Sequence, residues 1–172
     1  MQYTCKSIPQ WKESLLSSAT KDDIENLSYQ YELLLDPRKY SIYFFGTMTT
    51  LNAQEYKFLK AILTKKGERV SANRLMNQIK SNCKPEIRQI LSYRIKSKIK
   101  AKLKKIAPSR IPLEDNNWVI IDKDAKKGFT NTVHDINGNA LELMFQNFDF
   151  ERYFSMLISV KDGYYYTDFQ PA

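Results

Sequence analysis

Residues 80–107 read KSNCKPEIRQILSYRIKSKIKAKLKKIA. Between Lys80 and Lys105 ten residues are Lys or Arg, and Glu86 is the only acid. Ile87, Leu91, Ile95, Ile99, Leu103 and Ile106 recur at helical spacing, which predicts one long helix with a buried stripe. Pro85 suits its first turn, where no amide needs a partner, and Pro108 closes it. At about 100° per residue, with Ile87, Leu91, Ile95 and Ile99 inward, the outward face carries Gln89, Tyr93, Lys96, Ser97, Lys100 and Lys104. So basic a surface calls for a polyanion, and the major groove of duplex DNA accepts a helix. The plainer alternatives are a solvated lysine-rich face or one that meets an acidic protein.

The rest of the chain agrees in charge. Its 172 residues carry a formal net charge of +8, which favours an anionic partner and leaves the fold open. Cys5 and Cys83 are the only cysteines. They have no metal-ligand spacing and form no disulfide framework, so a reducing cytoplasm is expected. No apolar run is long enough to span a bilayer, and Met1 to Gln10 lack the apolar centre of a signal peptide.

Upstream of the basic helix the pattern alternates between helix and strand. Trp11 to Leu27 reads as helical, with Thr20 and Asp23 as a capping signal. Tyr29 to Leu35 is apolar and ambiguous in period, and Asp36-Pro37 stops any helix there. Tyr40 to Phe45 and Thr47 to Leu51 read as two strands about a turn at Gly46. Asn52 and Glu55 form a capping box for a helix bearing Tyr56, Leu59, Ile62 and Leu63, with Gly67 beyond its end. Ser71 can cap a further helix that buries Ala72, Leu75, Met76 and Ile79. Downstream, Trp118 to Ile121 and Phe129 to Val133 read as paired strands. Asn137-Gly138 and Asp162-Gly163 are hairpin signals. Asp149 to Ile158 is helical or extended; its periodicity does not decide.

Leu35-Asp36-Pro37, then Ile42, Gly46 and Leu51, then Glu55-Tyr56 with Phe58-Leu59, resemble the opening of the OmpR/PhoB-type winged helix-turn-helix domain. Gly67, Arg69-Val70-Ser71 and Leu75 resemble the link between that family's first two helices. Ile95, Ile99 and Leu103 resemble the core face of its recognition helix, and Gly128-Phe129 the glycine–aromatic pair of its wing. The resemblance runs from about Tyr29 to Val133. It departs at Asp124-Ala125-Lys126-Lys127, where the family usually carries an arginine–glycine step. The segment Arg110 to Asn117 is longer than usual. No receiver domain is expected before Tyr29, and the tail from Thr132 to Ala172 has no counterpart in the family.

The resemblance implies an α+β fold: a winged helix-turn-helix with a preceding small antiparallel sheet and a C-terminal wing hairpin. Residues 1–28 would be a helical extension, 29–133 the DNA-binding domain, and 134–172 an aromatic-rich extension. The implied function is sequence-specific binding of double-stranded DNA in transcriptional regulation, with a homodimer on repeated half-sites and RNA polymerase as further partners. A replication or mobile-element initiator could use the same fold. Gln89, Tyr93 and Ser97 are candidates for base edges, Arg88 and Arg94 for guanine or phosphate, and Lys96, Lys100 and Lys104 for phosphates. Lys123, Lys126 and Lys127 crowd the expected wing turn, in reach of backbone or minor groove.

Catalysis finds little support, so no enzyme activity, metal or cofactor is expected. His134 is the only histidine. Asp122 and Asp124 suit a turn better than a Mg²⁺ site. The Asp135 to Asn139 run has its glycine misplaced for a calcium loop. Trp118 reads as a core residue. The tail aromatics Phe145, Phe148, Phe150, Tyr153, Phe154, Tyr164, Tyr165, Tyr166 and Phe169 must be buried, by packing on the preceding domain, between two protomers, or around a small-ligand pocket, the first two being favoured.

Overall fold

In a computed structural model the chain is α+β, with three sheets and five α-helices among the described residues. These are residues 8–14, 20–79, 83–106, 110–112, 118–120, 130–134, 140–144 and 149–172. No helix among them is long and apolar enough to cross a membrane.

The first sheet has the order β12-β1-β2-β3-β4, with β1 at Gln10–Glu13, β2 at Leu33–Asp36, β3 at Ser41–Phe44, β4 at Thr47–Thr50 and β12 at Gln170–Pro171. The β2–β3–β4 part is an antiparallel meander; the β3–β4 hairpin is the one the sequence predicts, and β2 settles the ambiguous run before Asp36 as a strand. Its second turn uses Phe45 at φ 47° and Gly46 at φ 81°, the paired positive φ of a tight hairpin. Both faces of β2 are covered, which explains its unbroken apolar run. Leu33 and Leu35 join Ile42 and Phe44 in the main core, while Leu34 and Tyr43 pack with Ile24 on the opposite face. Ile24 comes from helix α1, Lys21–Ser28. There Asp23 N–H donates to Thr20 Oγ1 at 3.2 Å and Thr20 N–H to Asp23 Oδ2 at 3.1 Å.

Residues Gln10–Glu13 are a strand, contrary to the helical reading of Trp11 onward. They lie parallel between β2 and β12, with Trp11 opposite Leu33 and Pro171. Tertiary pairing overrides local preference here. Gln170 N–H donates to Pro9 O at 2.8 Å and Ala172 N–H to Trp11 O at 2.9 Å.

Three helices pack beneath this sheet: α2 (Ala53–Leu63), α3 (Ala72–Ile79) and α4 (Arg88–Lys105). The α2 capping box forms as expected: Glu55 N–H donates to Asn52 Oδ1 at 2.8 Å, and Asn52 N–H to Glu55 Oε1 at 2.9 Å. Glu55 is buried, and Lys102 of α4 reaches its carboxylate with the ammonium. One side chain thereby caps α2 and ties it to α4. Replacing Lys102 with Ala should strand a buried carboxylate and cost about 2–4 kcal/mol, below the fully buried range because water reaches Lys102. Urea unfolding measures it, with the exposed Lys105→Ala as a control of near-zero effect; equal midpoints for the two variants would refute the assignment.

After α4 the chain runs through a second sheet of order β6-β7-β8-β9: Arg110–Pro112, Trp118–Ile120, Thr130–His134 and Ala140–Met144. All its pairs are antiparallel. The strand pair flanking Asn137-Gly138 is therefore a hairpin. Arg110 anchors this sheet: its N–H donates to Phe45 O at 3.0 Å, and its guanidinium lies over the Tyr29 ring at 3.2 Å. Burial, then the hydrogen bond to Glu25, pushes the Tyr29 phenol up to about 12.

Helix α5 (Phe150–Leu157) and the hairpin β10 (Ser159–Lys161) and β11 (Tyr164–Tyr166) come next. Asp149 caps α5 by accepting Arg152 N–H at 3.1 Å, which decides for the helix. The turn is Asp162 at φ 54° and Gly163 at φ 80°, the form its sequence predicts. β11 continues into a third sheet by pairing with β5, Val70–Ser71, with Tyr165 opposite Val70.

Segments from the stretches expected as extensions, 1–28 and 134–172, share sheets and a core with the region between them. Val133 lies within a strand and pairs with Leu141 across the expected boundary. Phe154, Leu157, Ile158, Tyr165 and Phe169 belong to the same core as Leu35, Phe58 and Ile99. Of the tail aromatics expected to be buried, Phe154, Tyr165 and Phe169 are, Phe150 and Tyr153 are partly buried against the core, Tyr164 is exposed, and Phe145 and Phe148 lie outside the described residues. Phe44 meets Phe150 edge-on, Phe45 packs on Tyr153, and Phe58 meets Tyr165 edge-on.

Candidate nucleic-acid interface

The basic helix begins with a 3-10 turn, Pro85–Ile87, and becomes α-helical at Arg88. A 3-10 turn advances about 120° per residue, so it shifts the phase of the α-helix it leads into. The buried face of α4 is Ser92, Ile95, Ile99 and Leu103. Leu91 is only partly buried, and Ile87 is exposed. Of the expected inward set, Ile95 and Ile99 are buried and Leu91 packs against the core, while Ile87 faces solvent and Ser92 and Leu103 complete the buried face instead. The face most open to solvent is Ile90, Tyr93, Arg94, Ser97, Lys98, Ala101, Lys104 and Lys105.

The sequence-predicted candidates divide accordingly. Tyr93, Arg94, Ser97 and Lys104 are exposed on the open face. Gln89 is exposed at one flank, with its side-chain amide against the β10–β11 turn. Arg88 is held in the fold: Nη1 donates to Asn73 Oδ1 at 2.7 Å and Nε to Cys83 O at 3.2 Å. It ties the start of α4 to the first turn of α3. Lys96 is partly covered, and burial, then the nearby Lys100 charge, draws its ammonium below the ordinary lysine range. Lys100 pairs with Glu151 of α5 at 2.8 Å and lies over the Phe154 ring. Lys104 approaches the same carboxylate at 3.8 Å. The Lys100 hydrogen bond chiefly holds the Glu151 carboxyl below its usual range. Such exposed pairs are worth little, so a phosphate can compete for either lysine. Lys123, Lys126 and Lys127 lie outside the described residues.

The expected wing strands, β7 and β8, belong to the four-stranded sheet, and neither pairs with β5. The hairpin that joins β5 is β10–β11. Its turn lies beside the first turn of α4, and with Asn73, Arg88 and Gln89 the residues Asp162, Gly163 and Tyr164 line an open cleft of about 310 Å³. Sequence reasoning passes over Ile90, Lys98, Lys105 and Arg74 as site residues, and takes Tyr164 for a buried aromatic. Lys98 and Lys105 are visible as charges but fall off the expected face. The signal for the correct phase is Leu103 together with Ile95 and Ile99; counting Ile87 as buried obscures it.

Gly163 has two reasons to lack a side chain. Its φ is in the left-handed region, and a Cβ would stand 2.9 Å from Gln89 Nε2. The glutamine end can swing aside, so backbone strain dominates. Gly163→Ala should cost about 1–2 kcal/mol of stability. Adding Gln89→Ala should recover little of that, which a double-mutant cycle of thermal unfolding measures. Full recovery would mean that contact, not backbone, sets the glycine.

Among the described residues no group of three or more His, Cys, Asp or Glu side chains is placed to hold a metal ion. Comparisons with family models, with curated proteins and with solved structures find no match for the chain.

Proposed function

We propose that the chain binds double-stranded DNA sequence-specifically and regulates transcription, as a winged helix-turn-helix protein. In this reading α3 and α4 are the helix pair, α4 enters the major groove, and the β10–β11 hairpin is the wing. One observation carries it. The open face of α4 presents Arg94, Lys98 and Lys105, exposed and without an acidic partner among the described residues, opposite the buried Ile95, Ile99 and Leu103. A cationic helix face held rigidly by its opposite side suits a regular polyanion. Supporting it, β11 is locked to β5, so the hairpin turn stands at the same end of α4 whose residues would meet base edges.

The wing in this proposal is Ser159–Tyr166, in place of the Trp118 to Val133 hairpin favoured from sequence. Selecting duplexes bound from a random pool tests the function. A defined motif that resists competition by unrelated DNA is the expected outcome, and a two-fold or direct-repeat motif would mean two protomers per site. Retention of every sequence equally would overturn sequence-specific regulation.

A further inference from the structure

The open face of α4 is not uniformly basic. Its C-terminal half carries Lys98, Ala101, Lys104 and Lys105. Its N-terminal turns carry large apolar side chains turned to solvent: Ile87 is 42 % exposed, Ile90 53 % and Tyr93 64 %. Tyr164 of the neighbouring hairpin is 46 % exposed. A helix that merely solvates a basic face gains nothing from two isoleucines there. Both stand outside the core in which Ile95, Ile99 and Leu103, a few residues on, are buried.

We infer that Ile87 and Ile90 read thymine methyl groups, so that the DNA target carries thymines at one or two positions facing the first turns of α4. The inference rests on the DNA-binding reading above. An isoleucine side chain makes no hydrogen bond, and the apolar feature on base edges in the major groove is the thymine 5-methyl. Recognition helices meet base edges with their N-terminal residues, which is where the apolar strip lies. Spacing agrees: residues three apart on a helix rise about 4.5 Å, and bases along a strand are about 3.4 Å apart. Ile87 and Ile90 would therefore address thymines one or two base pairs apart. Arg94 continues the same stripe one turn further, and with Lys98 and Lys104 it borders the strip with positive charge. A purely apolar protein partner would leave that border unpaired, whereas phosphates flank every base edge.

Deoxyuridine supplies the test, because it removes the methyl and keeps base pairing, charge and hydrogen-bonding groups. The full chain is titrated with its selected duplex and with copies carrying uracil for thymine at one position at a time. Uracil at one or two neighbouring positions should weaken binding roughly three- to tenfold, on the scale of one buried methyl. Ile90→Ala should bind the thymine and uracil duplexes alike while keeping the salt dependence of the unchanged protein. Ile87→Ala, also at an exposed position, gives a second and independent reading. If the chain selects a motif but uracil at every thymine leaves affinity unchanged, the inference fails and the DNA reading survives. If no duplex is selected, both fail. If Ile90→Ala instead dissolves a dimer in the absence of DNA, the strip seats a second copy of the chain and the inference is overturned.

Discussion

Raising the salt from 50 to 200 mM should weaken binding to duplex DNA by about 500-fold, a figure set by roughly five phosphate contacts at a slope of about −0.9 each. The five cations are Arg74 at the start of α3, and Arg94, Lys98, Lys104 and Lys105 on the open face of α4, all exposed. Only Lys104 meets an acid among the described residues, and that contact with Glu151 is long. Replacing Arg94 and Lys98 together with Ala should flatten the log–log slope by about two units and weaken specific and random duplexes alike. Neither residue is buried, so the fold should tolerate the change. Fluorescence titrations at four salt concentrations would measure it. A slope near zero in the unchanged protein would remove duplex DNA as the partner. An unchanged slope in the double variant would put the phosphates on another face.

Phe169→Ala should be strongly damaging although it lies outside the interface. The ring is fully buried in the main core, three residues from Ala172, and the backbone on either side is bonded. Asp168 N–H donates to Met156 O at 2.7 Å, and Phe169 N–H to Thr167 Oγ1 at 3.1 Å. Removing a buried phenyl typically costs about 3–5 kcal/mol. For a chain of this size that lowers the melting temperature by on the order of 10 °C. Phe169→Leu should restore more than half of the loss. Denaturant unfolding followed by tryptophan fluorescence reads both. A cost below about 1 kcal/mol would mean that the C-terminal segment docks without supporting the core, far under the range for such a ring.

The parts of the fold legible in the sequence are those fixed by local chemistry. Thr20 with Asp23 and Asn52 with Glu55 announce two helix starts, and both capping boxes form. Asp162-Gly163 announces a hairpin turn, and its positive φ pair is there. What local chemistry cannot supply is the choice among distant partners. Three candidate hairpins come after the basic helix, about the charged turn at Lys123 to Lys127, at Asn137-Gly138 and at Asp162-Gly163, and nothing near any of them says which will pair with Val70–Ser71. The pairing of Tyr165 with Val70 decides it. Strand β1 reads as helix in the sequence because its neighbours in the sheet, Leu33 and Pro171, are remote along the chain. The candidate site suffers in the same way. Its charges are countable, but the phase of α4 depends on the 3-10 turn at Pro85, and Ser92 on the buried face looks like a surface residue. The pair Lys100–Glu151 joins residues that lie on either side of the whole four-stranded sheet along the chain.

The strand pairing that brings Gln170 beside Gln10 also sets a timetable for synthesis. A chain made from its N-terminus displays the basic helix well before Phe154, Tyr165 and Phe169 exist to complete the core beneath it. Contacts between such remote segments form late, after the cost of closing a long loop has been met. A nascent chain halted before Asp149 would carry the cationic residues of α4 without the support that fixes their common orientation. Its affinity for polyanions would be indiscriminate. On the proposed DNA-binding reading, discrimination between one duplex and another would become available only when the final strand has docked.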